Sequence, residues 1–206
     1  MRLRLAGDSA LLVEVSDTVE AHRVRAALEC ARAEGRVPGL RETVAGQRSV
    51  LALVDPLACD PARVERVAAS GVAGTAPAAE PRTVHIPVVY DGADLDWVAE
   101  HRGLAVDEVV RRHGAAVYTV AFLGFSPGFG YLSGVDPALH VPRRDSPREK
   151  VPAGSVAIAG DLTAVYPQAT PGGWRLLGHT ELAVFDPKRT PPGLFEPGDL
   201  VRFTPV

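Results

Sequence analysis

Proline and glycine are crowded into the last part of this chain. Of its 18 prolines and 20 glycines, 12 prolines and 11 glycines fall from Gly124 onward. Proline removes a backbone donor and glycine weakens a helix, so this part of the chain cannot form a helical bundle. The apolar runs between these residues predict short strands over 118–123, 155–159, 162–166, 174–177, 182–185 and 200–204. Strands at this spacing are typical of a closed or nearly closed β-barrel.

The first 75 residues follow a more regular pattern. Apolar runs predict strands over 2–5, 10–15, 41–45 and 49–54. Apolar residues at helical spacing predict a helix that is capped by Asp17 or Ser16 and a second that begins after Asp60, where Pro61 suits the first helical position. The order β-β-α-β-β-α indicates a small α/β domain with both helices on one face of the sheet.

A stretch of small residues separates this pattern from the rest. Residues 71–81 are rich in alanine, glycine and proline and have no periodic apolar face, so they are the predicted linker. The predicted domains are a small α/β domain over 1–75 and a β-barrel domain over 76–206. A strand over 83–90 and two short helices over 95–101 and 106–113 precede the barrel strands. The predicted fold class is therefore α+β.

The charge balance and the metal-ligand residues exclude several classes of function. The chain has 22 Lys and Arg against 25 Asp and Glu, without the basic surplus that a nucleic-acid binder needs. No signal-peptide pattern and no run of ~18 apolar residues occur, so we expect a cytoplasmic protein that binds no membrane. The two cysteines and six histidines lack metal-ligand spacing, so we expect no metal site.

The segment Gly124–Gly128 matches the G-x-S-x-G pattern of serine hydrolases. In those enzymes the amide N–H after the serine helps to form the oxyanion hole, but Pro127 has no N–H. Pro127 and Gly128 instead suit the two central positions of a type II turn. Such a turn would present Phe125, Phe129 and Tyr131 on a rigid loop, which is either the wall of an aromatic pocket or a packed barrel corner.

Three further features are candidates for ligand binding, each with a structural alternative. Arg143 and Arg148 lie in a basic, proline-bounded loop that suits a carboxylate or phosphate, unless the loop is simply solvated and internally paired. The amides near Gly172-Gly173 can hold an oxygen beside Trp174, unless they form a plain hairpin. His179 is a candidate proton carrier or a structural histidine.

Several motifs, taken in order and at their spacings, resemble one known family. The chain is similar to the KipI family, also called allophanate hydrolase subunit 1 or the 5-oxoprolinase B subunit. Its N-terminal Gly7-Asp8 and the strand 85–90 fit as well, so the resemblance covers nearly the whole chain. The motifs that carry it are Tyr118, Gly124–Leu132, Pro142-Arg143, Pro147-Arg148, Val151–Val156, Tyr166-Pro167, Pro171–Trp174 and Pro197–Asp199.

The resemblance implies a fold, partners and an activity. It implies a small α/β domain followed by a cyclophilin-like β-barrel, in agreement with the pattern above. It also implies a homologous partner, the C subunit of the KipA or allophanate hydrolase subunit 2 type, and an unrelated A subunit. Such a complex uses ATP to open the lactam 5-oxoproline to glutamate, and we expect this chain to bind no cofactor itself and to be inactive alone. Two alternatives stay open: a carboxyltransferase-domain subunit of a urea carboxylase or allophanate-type pathway, and a KipI-type inhibitor of a sensor histidine kinase.

The predicted site lies entirely in the barrel half. The candidate catalytic residue is His179. The family often has arginine at this position. In the expected arrangement the lactam ring packs on aromatic side chains, Arg148 holds its carboxylate, and amides near Gly172-Gly173 polarise its carbonyl. The predicted substrate-binding residues are Phe125, Pro127, Gly128, Phe129, Arg143, Arg148, Gly154, Ser155, Tyr166, Gly172, Gly173 and Trp174.

Overall fold

A computed structural model describes residues 1–74 and 81–206, and the chain divides into two compact units, Met1–Glu80 and Pro81–Val206. The first unit has the predicted element order. Its strands and helices are β1 (Arg2–Leu5), β2 (Ala10–Glu14), α1 (Thr18–Ala33), β3 (Leu40–Ala45), β4 (Ser49–Val54) and α2 (Pro61–Val72). The four strands form one antiparallel sheet in the order β1-β2-β4-β3.

Both helices of this unit begin at the predicted caps. The Asp17 carboxylate accepts the Glu20 amide N–H at 2.8 Å, and the Glu20 carboxylate accepts the Ser16 amide N–H at 2.9 Å. The Asp60 carboxylate accepts the Ala62 amide N–H at 3.0 Å, and Pro61 opens α2. Each cap satisfies a donor that the first helical turn leaves unpaired.

The two helices cover one face of the sheet. Their buried side chains and those of alternate sheet positions belong to one apolar cluster, which includes Val24 and Leu28 of α1 and Val13 and Val50 of the sheet. Gly71 lies in α2, where a Cβ atom would come within 2.8 Å of Val24 Cα. Residues 71 and 72 at the start of the predicted linker thus belong to α2, where Gly71 serves close helix packing. Residues 75–80 of the predicted linker lie outside the described residues, so the linker stays a prediction.

The second unit contains a seven-stranded sheet and two helices. Its elements are β5 (Thr83–Val88), α3 (Leu95–Arg102), α4 (Val106–Ala115), β6 (Tyr118–Leu123), β7 (Gly130–Ser133), a 3-10 turn (Pro137–Leu139), β8 (Arg148–Val151), β9 (Ser155–Ala159), β10 (Leu162–Val165), β11 (Thr170–Gly172), β12 (Arg175–His179) and β13 (Leu200–Pro205). The sheet order is β12-β9-β10-β7-β6-β13-β5, and β8 and β11 form a separate antiparallel pair. All neighbours in the large sheet are antiparallel except β13 and β5.

A backbone bridge joins the two edges of this sheet. Beyond the end of β5, the N–H of Val89 donates to the carbonyl of His179, and the N–H of His179 donates to the carbonyl of Val89, both at 2.9 Å. Gly178 permits this contact, since a Cβ atom there would lie 2.1 Å from the Val89 carbonyl oxygen. The bridge turns the sheet into the nearly closed barrel that the sequence predicts.

The predicted strand over 182–185 is wrong. Only Phe185 forms a bridge, with Gly193, and the rest of the segment is irregular. Its apolar residues are explained by burial instead of pairing, because Val184 packs into the barrel core. The short strands β7, β8 and β11 are not among the predicted strands, since glycine, charge or proline interrupts their apolar pattern. No helix within the described ranges combines the length and apolarity needed to cross a membrane.

Candidate active site

The loop between β6 and β7 has the predicted turn. The Phe129 amide N–H donates to the Ser126 carbonyl at 3.0 Å, and Gly128 has a φ of +82°, as the third position of a type II turn requires. A strand follows this turn, whereas a nucleophile elbow is followed by a helix. The buried Ser126 hydroxyl oxygen has no hydrogen-bond partner among the described residues, so no base activates it. The segment is therefore not a hydrolase elbow.

Phe125 has an unusual conformation within this loop. Its φ is +67°, and the next amide, that of Ser126, donates to the Gly124 carbonyl at 2.7 Å, which is the hydrogen bond of a γ-turn. A γ-turn with a positive φ is strained and costs a non-glycine residue roughly 1–3 kcal/mol. The Phe125 side chain is nevertheless 62% exposed, with its ring centroid 5.3 Å from that of Phe129. The loop thus holds an apolar ring at the surface at a conformational cost.

Phe125 forms one side of a small aromatic cavity of about 100 Å³. The ring of Phe129 lies 5.3 Å from that of Tyr166 and 5.8 Å from that of Trp174, in edge-to-face contacts typical of buried aromatic clusters. The structure thereby brings together seven of the twelve predicted binding residues. The cavity is lined by Phe125, Phe129, Tyr131, Arg143, Tyr166, Pro171, Gly172, Gly173 and Trp174, of which Tyr131 and Pro171 are absent from the predicted set.

Gly172 allows Tyr166 to reach the cavity wall. A Cβ atom at position 172 would lie 2.4 Å from the Tyr166 hydroxyl oxygen. Tyr166 is only 2% exposed, and burial raises the pKa of its hydroxyl although the backbone amide of Trp174 acts in the opposite direction. The hydroxyl therefore stays protonated near neutral pH and can act as a hydrogen-bond donor within an otherwise apolar wall.

Arg143 is the cation of this cavity. Its guanidinium carbon lies 5.8 Å from the centre of the Trp174 ring, within the range of a cation–π contact. It is exposed and forms no ion pair with any of the residues that the structure describes. An arginine that is stacked but not neutralised is suited to bind a carboxylate or another small anion.

Arg148 does not line the cavity, although the sequence makes it the expected carboxylate ligand. Its Nη1 atom lies 2.9 Å from Oδ2 of Asp94, a carboxylate that is 3% exposed. Burial raises the pKa of Asp94, but Arg148 and the Leu176 amide N–H outweigh that effect, so the pKa lies below its usual value. The sequence does not predict a role for Asp94, because its partners are distant along the chain. Binding of substrate by Arg148 stays a prediction.

His179 faces a different cavity, of about 230 Å³. Its Nδ1 atom lies 2.8 Å from Oδ1 of Asp91, and its Nε2 atom lies 3.8 Å from Oε1 of Glu181. Gly154 lines this second cavity, and Tyr166 contributes to both. The remaining predicted residues, Pro127, Gly128, Arg148 and Ser155, line neither of the two cavities. The predicted site is thus divided, and the role of His179 in catalysis stays a prediction.

The sequence matches the family model described as carboxyltransferase domain, subdomain C and D, over residues 1–195. The chain belongs to this family. Its match to the 5-oxoprolinase B subunit of Escherichia coli O157:H7 is 42% identical and covers 99% of this chain and 95% of that protein. Its match to the 5-oxoprolinase B subunit of Bacillus subtilis (strain 168) is 48% identical and covers 61% of this chain and 53% of that protein.

Two solved structures have the same fold as this chain. The crystal structure of TTHA0988 superimposes with a TM-score of 0.83 at 39% identity, and the match covers all of this chain but only 40% of that one. The Kluyveromyces lactis urea amidolyase superimposes with a TM-score of 0.73 at 21% identity over 99% of this chain and 15% of that one. In both proteins the fold of this carboxyltransferase-family chain is one part of a longer polypeptide.

Proposed function

We propose that this chain is the B subunit of an ATP-dependent 5-oxoprolinase, which opens 5-oxoproline to glutamate together with an A and a C subunit. The observation that carries the proposal is the end-to-end similarity, at 42% identity, to a protein of that name. In this proposal the complex uses ATP, this chain binds no cofactor of its own and is inactive alone, and the complex works in the cytoplasm.

The exposed ring beside the aromatic cavity supports a shared site. Pockets that enclose a drug-sized ligand have volumes of about 300–1,000 Å³, whereas this cavity of about 100 Å³ suits only a small molecule. Phe125 at its edge is a large apolar side chain that is 62% exposed, and in this proposal a second protein covers it and completes the site. The C subunit is the proposed partner on this side.

The lining of the cavity suits a lactam that carries a carboxylate. The ring of 5-oxoproline would pack on Phe129 and Trp174, and Arg143 would bind its carboxylate. Opening the lactam adds water across the amide and breaks its C–N bond, so negative charge develops on the carbonyl oxygen. Backbone amides near Gly172-Gly173 and the Tyr166 hydroxyl are the donors that would stabilise that charge.

The test is glutamate formation by the three co-expressed proteins. Arg143→Ala should raise KM for 5-oxoproline by at least about tenfold, because the substrate loses a charge-assisted contact worth ~1.5–3 kcal/mol. Arg202→Ala is the matched control, since it removes an exposed arginine from β13, away from the cavity. Equal KM values in these two variants would contradict the assignment of Arg143.

The carboxyltransferase family to which the chain belongs favours a second candidate, a component of a carboxyltransferase for urea or a similar small amide. In that case a complex supplied with carboxybiotin would transfer its carboxyl group to urea, releasing biotin, and would leave 5-oxoproline unchanged. Both substrates should therefore be offered to the same preparation. Carboxylation of urea without formation of glutamate would favour this candidate over the 5-oxoprolinase.

A further inference from the structure

A buried carboxylate lies close to three guanidinium groups whose arginines neighbour residues that line the aromatic cavity. Asp94 precedes α3, and its Oδ1 atom lies 3.1 Å from Arg144 Nη1 and 3.8 Å from Arg175 Nη1. Its Oδ2 atom lies 2.9 Å from Arg148 Nη1 and accepts the Leu176 amide N–H at 2.8 Å. We refer to Arg144, Arg148 and Arg175 as the arginine wall.

The arginine wall is attached directly to the residues that line the cavity. The Arg144 amide N–H donates to the Gly173 carbonyl at 2.7 Å. Arg148 pairs with Gly172 between β8 and β11, and Arg175 follows Trp174 in the chain. The position of Asp94 thus influences both the loop that carries Arg143 and the strand that follows Trp174.

The wall carries an excess of positive charge. Three guanidinium groups face a single carboxylate, and their side chains are only 10–33% exposed. The Nη1 atom of Arg148 is buried and has no hydrogen-bond partner of good geometry within the described residues. Charges that are partly removed from water act more strongly than surface charges. A small anion in the neighbouring cavity would offset this excess.

Asp94 is held in place on a rigid element, which suits an organising role. Its own amide N–H donates to the Leu176 carbonyl at 3.0 Å, so the residue is hydrogen-bonded to β12 through both backbone and side chain. Arg175 also stacks on Trp97 of α3, with its guanidinium carbon 3.4 Å from the ring centre. The guanidinium groups therefore have little freedom to turn.

We infer that Asp94 is a positioning residue that holds the arginine wall in place, and that the wall selects a small carboxylate as the ligand of the aromatic cavity. This inference rests on the proposed function and deepens it. It favours 5-oxoproline, which carries a carboxylate, over urea, which carries no charge.

The selection of a carboxylate is tested by titration calorimetry on the complex. The probes are 5-oxoproline and 2-pyrrolidinone, which has the same lactam ring but no carboxylate. The complex should bind 5-oxoproline at least about tenfold more tightly, which corresponds to ~1.4 kcal/mol. Equal affinity for the two probes would overturn the inference.

The positioning role is tested by the kinetics of Asp94→Asn. This variant keeps the shape of the side chain but removes the charge that holds the guanidinium groups. We expect KM for 5-oxoproline to rise at least about tenfold while kcat stays within about twofold, because substrate binding is lost and the reacting groups are retained. An unchanged or lower KM would overturn the role.

Asp199→Asn is the matched control, because it shows what the loss of a buried, paired carboxylate does to the enzyme through stability alone. Asp199 is 6% exposed, pairs with Arg82, and accepts the Glu196 amide N–H at 2.9 Å, but it does not line the cavity. If both variants lower kcat equally without a change in KM, the role of Asp94 is merely structural and the inference fails.

A failure of the proposed function is distinguishable from a failure of this inference. If the wild-type complex forms no glutamate, the proposed function fails, and acetate then replaces 5-oxoproline as the probe in calorimetry on the full chain. Binding of acetate that is weakened by Asp94→Asn but not by Asp199→Asn would still support the arginine wall. Absence of acetate binding to the wild-type chain would overturn it.

Discussion

His113 of α4 is completely buried against Tyr118 and Phe203 of the barrel, and each of its ring nitrogens has a partner. The Thr163 hydroxyl donates to the Ala157 carbonyl at 3.0 Å, so it accepts from the His113 Nε2–H at 3.0 Å. Nδ1 is then the acceptor for the Tyr90 hydroxyl at 2.7 Å. Desolvation lowers the pKa of His113 to about 3, so the ring is uncharged in the folded protein near neutral pH.

This burial predicts a loss of stability in acid. Between about pH 6.5 and pH 3 the unfolded chain binds a proton at His113 that the folded chain does not bind, so the free energy of unfolding falls as the pH falls. From pH 6.5 to 4.5 the contribution is about 2–3 kcal/mol. Urea denaturation at both pH values should show that His113→Gln, which cannot titrate, loses less stability than the wild type.

Exposed His85 provides the control for this prediction. His85→Gln should lose as much stability as the wild type between the two pH values. If His113→Gln also retains the full dependence on pH, the buried ring is not its source.

At the scale of elements, the features that the sequence predicts are those set by near neighbours. The caps at Asp17 and Asp60 and the turn at Pro127-Gly128 depend on hydrogen bonds between residues two to four apart. Gly71 shows the limit of prediction from near neighbours. In the sequence, a glycine that permits helix packing cannot be distinguished from a glycine in a linker. Its meaning depends on Val24, which belongs to a different helix.

The seam of the barrel, where Val89 beyond β5 bridges His179 of β12, gives a prediction at this scale. In Gly178→Ala the added Cβ would lie 2.1 Å from the Val89 carbonyl oxygen, so the bridge that joins β5 to β12 has to open. We expect the free energy of unfolding to fall by about 2–4 kcal/mol. Gly193→Ala is the control, since its Cβ would meet its nearest atom at 3.8 Å, and it should change stability by less than about 0.5 kcal/mol. Similar stabilities of the two variants in urea denaturation would mean that the seam tolerates a side chain.

At the scale of the whole molecule, the sequence predicts which half of the chain holds the site better than it predicts the geometry of the site. The aromatic rings and the paired glycines line one cavity because turns and neighbouring strands bring them together. Asp94 is absent from the predicted set, since its partners Arg144 and Leu176 are 50 and 82 residues away along the chain. The division of His179 from the aromatic cavity likewise depends on how the barrel closes.

Reconstitution of the complex with and without this chain tests the proposed function most directly. The A and C subunits, ATP and 5-oxoproline are combined, this chain is added or omitted, and glutamate is measured. We predict that glutamate forms only when all three proteins are present. Equal formation of glutamate without this chain, or none from the complete mixture, would contradict its assignment as the B subunit of a 5-oxoprolinase.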